Sequence, residues 1–196
     1  MEWCQVRTNP ERRNALVDAA IEVLASDGAR GLTFRAVDKA AAVPAGTASN
    51  YFANRDDLLT QAGARFYERL QPSAEAMAQV TIGPRTREHI VVLMREVVSR
   101  IEAFPTGYLA LLELRLEATR RPELRKVLTE RVRADLDFNV RTHLDSGLPG
   151  DEESVVLLYL TLNWLILDRL TLPEIFTEEQ GQALIEEAVH RLIGRG

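Results

Sequence analysis

Hydrophobic positions recur along most of the chain with the spacing of amphipathic helices, and prolines mark where several of these helices begin. Asn9, Pro10 and Glu11 form a helix start, and apolar residues then follow from Leu16 at i, i+3, i+4, i+7 and i+8. No segment shows the long alternation of a strand. The pattern predicts an all-α fold of nine helices, over residues 10–27, 33–41, 44–51, 54 into the seventies, 84–103, 105–119, 122–144, 151–170 and 177–193.

The last two predicted helices are more apolar than a surface helix needs to be. Residues 155–170 are hydrophobic nearly all round, and such a helix must be covered on every side. Two helices of this kind from each of two subunits would form a four-helix interface, although they could also be core helices of a single chain. The residues expected at a homodimer interface are Val156, Leu160, Leu167, Leu184, Ile185, Ala188, Val189 and Leu192.

Residues 33–52 have the pattern of two short helices joined by a tight turn. The apolar positions of both helices face one side, which is typical of a helix-turn-helix packed on a longer preceding helix. In that motif the second helix enters the major groove of DNA, and small residues there let the backbone approach closely. The second short helix is rich in small and polar residues, and Tyr51 and Arg55 follow where phosphates would lie.

Residues 10–60 resemble the DNA-binding domain of the tetracycline-repressor (TetR) family. The resemblance covers about a quarter of the chain, and its motifs are specific in combination. It rests on Gly28 at the end of the first helix, Thr33 at the start of the second, Gly46 in the recognition helix, the Tyr51-Phe52 pair, the run Asn54-Arg55-Asp56-Asp57 and the pair Leu58-Leu59.

The resemblance implies a set of DNA contacts. Residues at the start of the second helix and at the aromatic pair would contact phosphates, the recognition helix would face the groove, and Arg55 stands where a phosphate-binding lysine is usual. Ser49 departs from the family, because many members carry tyrosine there. Pro44 replaces a frequent serine. The implied DNA-binding residues are Thr33, Arg35, Ala45, Gly46, Thr47, Ser49, Asn50, Tyr51 and Arg55.

The resemblance also implies a two-domain regulator. Residues 1–55 would form the three-helix DNA-binding domain, and residues 56–196 a helical ligand-binding and dimerisation domain. The partners would be a palindromic double-stranded DNA operator, a second copy of the chain, and an unidentified small-molecule effector that releases the operator. The candidate residues of the effector pocket are Met94, Phe104, Tyr108, Leu112, Arg115, Phe138, His143, Asn163 and Trp164.

Composition and charge leave a rival interpretation open. The chain has 46% hydrophobic and 27% charged residues and a net charge of −5, and its first 60 residues are nearly balanced in charge, so no basic patch announces DNA binding. An all-α dimeric interaction module is therefore the alternative. The longest apolar run, residues 155–167, is too short for a membrane span, and the single Cys4 fits a reducing, cytoplasmic location.

An enzyme is the second alternative, and the sequence gives it little support. One Glu-x-x-His spacing occurs, at Glu187 and His190, whereas helical metal oxidases need paired motifs. Glu113 and Glu117 could hold one side of a metal, but nearby arginines would neutralise them. No phosphate-binding loop or cofactor motif is present in the sequence. We expect no catalysis, no metal and no cofactor.

Overall fold

The computed structural model describes residues 9–194, and it confirms the all-α prediction, with ten helices and no strand in that range. The helices are α1 (Pro10–Gly31), α2 (Phe34–Ala40), α3 (Thr47–Tyr51), α4 (Arg55–Leu70), α5 (Ala74–Ile82), α6 (Arg87–Glu102), α7 (Pro105–Ala118), α8 (Pro122–Ser146), α9 (Glu152–Thr171) and α10 (Glu178–Leu192). Cys4 lies outside the described residues.

The count exceeds the predicted nine because no separate helix was expected over residues 74–82, where α5 lies. The fourth helix ends before Pro72, and Ser73 then starts α5 as an N-cap whose hydroxyl accepts a hydrogen bond of 3.2 Å from the N–H of Ala76. Proline at this point cannot continue a helix, whereas the serine after it can begin one. Thr177 and Gln180 form a capping box at the start of α10, and both of its hydrogen bonds are present.

The chain divides into two compact units, and the first of them contains the helix-turn-helix. It comprises residues 9–69 and Pro105–Val132, which form α1 to α4, α7 and the first part of α8. Helix α1 packs along α7 and α2. Many side chains in the core of this unit are completely buried. The residues with 0% exposure include Leu16, Ala20, Ile21, Leu24, Leu32, Val37, Leu58, Leu59 and Leu114.

The second unit comprises Leu70–Phe104 and residues from Arg133 onward. Helices α6, α9 and α10 pack on one another in it, with Ile90, Ile185 and Val189 fully buried. The guanidinium of Arg169 on α9 pairs with Glu102 on α6 at 2.7 Å and also with Glu178 on α10. This arginine ties the three helices together at one end.

Helix α9 has an unusual surface. Among the described helices it alone is long and apolar enough, at 20 residues and a mean hydropathy of 1.3, to cross a membrane by length and composition. We expected no such helix because the apolar run over residues 155–167 is shorter than a membrane span, whereas α9 extends beyond that run at both ends. One side of α9 packs inside the second unit through Leu158, Leu162 and Ile166. The other side leaves large apolar residues exposed, among them Trp164 at 67%.

Candidate nucleic-acid interface

The helix-turn-helix consists of α2, a turn over residues 41–46, and α3. Helix α3 begins at Thr47, and the prediction that it starts at Pro44 was wrong. Gly46 has a φ of +90°, a left-handed backbone that ends the turn and cannot belong to a right-handed helix. Pro44 lies in the turn, where its carbonyl accepts the N–H of Thr47 at 3.2 Å.

A buried carboxylate holds the turn and caps α3. Asp38, on α2, is 3% exposed, and its Oδ1 and Oδ2 accept hydrogen bonds of 2.7 Å from the N–H groups of Ala48 and Gly46. Its backbone carbonyl accepts the N–H of Val43 at 3.0 Å. Two N–H groups at the start of the recognition helix, those of Gly46 and Ala48, are thus bound by a side chain from α2. The sequence analysis did not identify Asp38 as part of the site.

The other end of α3 is held by α1. The guanidinium of Arg13 donates to the carbonyl of Tyr51 at 3.1 Å and to the side-chain oxygen of Gln61 on α4 at 2.8 Å. It also lies over the ring of Phe52, 5.2 Å from the ring centroid. Gln61 in turn donates to Asp57 at 2.6 Å. The recognition helix is therefore fixed at both ends by side chains that the sequence analysis did not assign to the site.

Most of the predicted DNA contacts lie on the surface of the motif. The exposed members are Thr33, Arg35, Ala45, Gly46, Ser49 and Asn50, whereas Thr47 and Arg55 are half-buried. The hydroxyls of Thr47 and Ser49 donate to the carbonyls of Pro44 and Gly46, at 2.5 and 2.8 Å. The side-chain amide of Asn50 makes no hydrogen bond to the rest of the described chain. Its NH2 group and its oxygen are therefore available to a base edge.

Two residues that were predicted to contact phosphates, Tyr51 and Arg55, make contacts within the protein instead of lying free on its surface. Tyr51 is 7% exposed, so most of its side chain packs in the core, and the contact of its hydroxyl with a phosphate stays a prediction. Arg55 donates from Nε to the carbonyl of Leu32 at 3.0 Å and from Nη2 to the carbonyl of Ala29. Its guanidinium holds the end of α1, which makes Arg55 a structural residue of the motif whatever it contacts in DNA.

The nine residues predicted for an effector pocket do not form one cluster in either unit. Tyr108, Leu112 and Arg115 belong to the first unit, and the remaining six belong to the second. Two shallow depressions, of about 330 and 310 Å³, lie on the first unit, and neither is lined by any of the nine. Phe138 and Trp164 are 43% and 67% exposed, so we assign them to the surface of the single chain instead of an enclosed pocket.

Two polar residues of this set are bound inside the second unit. His143 is 8% exposed, with Nε2 3.0 Å from the carbonyl of Pro149, and burial lowers the pKa of its imidazole. The side-chain amide of Asn163 donates to the carbonyl of Tyr159 at 2.8 Å. The partner that an amide inside an apolar helix requires is thus provided, at least for the donor, by the helix backbone.

The residues predicted for a dimer interface divide into three groups by their exposure. Ile185 and Val189 are fully buried inside the second unit, and we therefore assign them to its core. Leu160 and Leu184 are 58% and 42% exposed. The remaining four, Val156, Leu167, Ala188 and Leu192, are half-buried. Leu157, which was not among the predicted interface residues, is 43% exposed on α9.

The carboxylates considered for a metal have protein partners. Glu117 accepts from Arg121 at 2.8 Å and from Arg120 at 2.5 Å, and these hydrogen bonds lower the pKa of its carboxyl group. Glu113 accepts from the backbone N–H of Ala29 at 2.9 Å. Within residues 9–194, no group of three or more His, Cys, Asp or Glu side chains is arranged to hold a metal ion.

Comparison with known proteins adds to this geometry. The family model of the bacterial regulatory proteins of the tetR family matches residues 16–62, and that of the tetracycline repressor-like C-terminal domain matches residues 85–195. A relative, the HTH-type transcriptional regulator BetI of Rhizobium meliloti, is 29% identical over 148 residues, which are 76% of this chain and 71% of BetI.

Solved structures agree with the family models. A TetR-family member from Streptomyces coelicolor A3 is 27% identical, with a TM-score of 0.70, and the match covers 95% of this chain and 100% of that one. The multidrug binding protein EbrR, complexed with ethidium, is 28% identical with a TM-score of 0.66, and the match covers 94% of this chain and 99% of EbrR. The second family model alone spans more than half of the chain. With its helix-turn-helix and its two matched domains, the chain belongs to the TetR family of bacterial DNA-binding transcriptional regulators.

Proposed function

We propose that the protein is a cytoplasmic repressor that binds a palindromic operator as a homodimer and releases it when a small molecule binds to its helical domain. Residues 1–55 form the DNA-binding domain in this proposal, and residues 56–196 form the domain for effector binding and dimerisation. The observation that carries the proposal is the surface of α3, where small and polar side chains are exposed on a helix whose two ends are fixed by buried contacts.

The contacts that fix the position of α3 favour a DNA-binding helix-turn-helix over an interaction module that does not bind DNA. A helix of five residues is not stable by itself, so its position depends on its neighbours. Asp38 and Arg13 supply that support, while the side-chain amide of Asn50 makes no hydrogen bond to the other described residues. An interaction module would have no need to present a free amide on a pre-positioned helix, which disfavours the alternative interpretation.

The exposed side of α9 supports a homodimer. Leu157, Leu160 and Trp164 recur at i, i+3 and i+7 on this side, with exposures of 43%, 58% and 67%. Leu184 on α10 is 42% exposed. A contiguous apolar surface of this kind is costly in water and marks an interaction site. Because a two-fold interface uses the same surface on both subunits, a second copy of α9 and α10 would cover it.

The proposed effector is a small organic molecule of unspecified class. The support comes from EbrR, a multidrug binding protein with ethidium bound, to which this chain is similar over nearly its whole length. A ligand releases an operator when it prefers the state whose two recognition helices have the wrong spacing. We do not propose catalysis, because the two carboxylates considered for it have partners in the chain. Glu117 is bound by arginines, and Glu113 is bound by the backbone N–H of Ala29.

The test is binding of the purified protein to DNA fragments from upstream of its own and neighbouring coding regions. Binding is measured by gel shift at low and moderate salt with an excess of unrelated competitor DNA. A shift that survives the competitor on a specific fragment is expected, because base contacts add to the salt-sensitive phosphate contacts. Binding of every fragment with equal affinity, or of none by a folded protein free of ligand, would overturn the proposal.

A further inference from the structure

Helix α1 is interrupted three residues before its end. Gly28 has a φ of +68° and a ψ of 179°, so the last turn, residues 29–31, is separated from the body of the helix. This break removes the helical partner of the Ala29 N–H, and Ala29 is 4% exposed. A buried N–H without a partner is costly, and another group must therefore accept it.

The accepting group is the carboxylate of Glu113 on α7. Its Oε2 lies 2.9 Å from the nitrogen of Ala29. A Cβ at position 28 would lie 3.3 Å from the same oxygen, so glycine both permits the break and gives the carboxylate room. The contact joins residues separated by 84 positions in the sequence, and helices α1 and α7 pack together around it.

The carbonyl of Ala29 is bound by a second helix. It accepts a hydrogen bond from the guanidinium of Arg55 on α4, and the same guanidinium donates to the carbonyl of Leu32 at 3.0 Å. Leu32 is fully buried and immediately precedes Thr33, the N-cap of α2. The connector between α1 and the helix-turn-helix is thus held on one side by α7 and on the other by α4.

We propose that Glu113 is a positioning residue for DNA recognition, through which α7 controls the placement of α2 and α3. The proposal rests on the proposed DNA-binding function and concerns its regulation. As long as the carboxylate holds Ala29, the connector enters α2 in one conformation. A shift of α7 that withdraws the carboxylate frees the connector, and the recognition helix loses its fixed approach to the groove.

The experiment compares four forms of the full-length protein: wild type, Glu113→Ala, Glu113→Gln and Glu123→Ala. Glu123 is an exposed glutamate of the same unit and serves as the control. Glutamine retains an oxygen that can accept the N–H of Ala29, whereas alanine does not. Amide hydrogen exchange at Ala29 and affinities for the operator fragment and for unrelated DNA are measured on each form.

The Glu113→Ala protein should exchange the Ala29 amide faster and bind the operator about tenfold more weakly, as expected for loss of a hydrogen bond to a charged group. Its affinity for unrelated DNA and the salt dependence of that affinity should stay unchanged. Glu113→Gln and Glu123→Ala should resemble the wild type. A variant that merely lost stability would show faster exchange throughout the first unit and equal losses on both kinds of DNA.

Unchanged operator affinity of Glu113→Ala with faster exchange at Ala29 would overturn the inference, and so would unchanged exchange. If wild type itself showed no preference for any fragment, the proposed function would fail and the inference would fail with it. If Glu113→Ala did not fold, Glu113→Asp replaces it. That variant keeps the charge but withdraws the carboxylate by one methylene, and it should show the same selective loss of operator affinity.

Discussion

The buried carboxylate of Asp38 accepts a hydrogen bond of 2.7 Å from the backbone N–H of Ala48 and so caps the recognition helix from outside it. The side chain that caps a helix normally belongs to the residue directly before it. Before α3 that residue is Gly46, which has no side chain that could accept a hydrogen bond. The cap is therefore supplied by α2, ten residues earlier in the chain. This arrangement makes the geometry at the start of α3 depend on one side chain of α2.

Replacing Asp38 with asparagine should weaken operator binding more than it weakens folding. An amide offers one acceptor oxygen, so one of the two N–H groups of Gly46 and Ala48 would face an NH2 group without a partner. We expect at least about tenfold loss of operator affinity, the size typical of a broken buried hydrogen bond to a charged group. Fluorescence anisotropy with a labelled operator measures it.

The matched control for that substitution is Asp137→Asn, on an exposed part of α8 in the second unit. It should bind the operator like wild type. Equal operator affinity of the Asp38 and Asp137 variants would show that the cap is unimportant for recognition.

The two arginines predicted at phosphates should respond differently to replacement by alanine. Arg35 is exposed and makes no ion pair or hydrogen bond to the described chain, so its loss should weaken binding to all sequences and reduce the salt slope by about one. Arg55 binds the carbonyl of Leu32, so its loss should also lower the melting temperature. Salt titrations and thermal melts of both variants separate the two roles, and identical melts would contradict the role given to Arg55.

Replacing Leu160 with arginine should separate the dimer. The side chain is 58% exposed on the apolar side of α9, and a charge buried there without a partner is strongly unfavourable. We expect the dissociation constant of the dimer to rise at least about thirtyfold, as for residues that dominate an interface. Sedimentation equilibrium measures it. Leu116→Arg, at a 59% exposed leucine of α7 in the first unit, should leave the dimer intact, and loss of the dimer in both variants would point to general misfolding.

Acid should destabilise the second unit through His143. Burial lowers the pKa of this imidazole, so the unfolded chain takes up the proton at a higher pH than the folded chain. The unfolding free energy should therefore fall as the pH drops below about 6.5, by at most about 1.4 kcal/mol per pH unit, and level off below the pKa of the folded state. Urea titrations of wild type and His143→Gln check this, and an equally steep decrease in the variant would assign it to other groups.

The helices whose starts carry a local signal were predicted well from the sequence. Pro105 and Pro122 open α7 and α8, and Thr177 with Gln180 caps α10, because each of these signals acts within one turn of the chain. The start of α3 was predicted three residues too early. Pro44 is compatible with a first helical turn, and the left-handed conformation of Gly46 that excludes such a turn cannot be inferred from a glycine alone.

The supporting residues of the site could not be predicted in the same way. Arg13 meets Tyr51 across 38 positions and Glu113 meets Ala29 across 84, and no periodicity connects residues at such distances. The side chains of Arg13 and Glu113 are charged, and the ordinary expectation for a charged side chain on a helix is a solvated surface. The sequence therefore predicts which residues face DNA, whereas the structure was needed to identify the residues that hold the recognition helix in place.

The most direct test of the account is selection from a library of random double-stranded oligonucleotides by wild type and by Asn50→Ala, followed by sequencing. Wild type should enrich two inverted half-sites, with centres about one turn of DNA apart or somewhat more. Asn50→Ala should enrich the same arrangement with one base position relaxed in each half-site. Enrichment of no sequence by wild type, or the same preference in both proteins, would contradict the claim that α3 recognises DNA through its exposed amide.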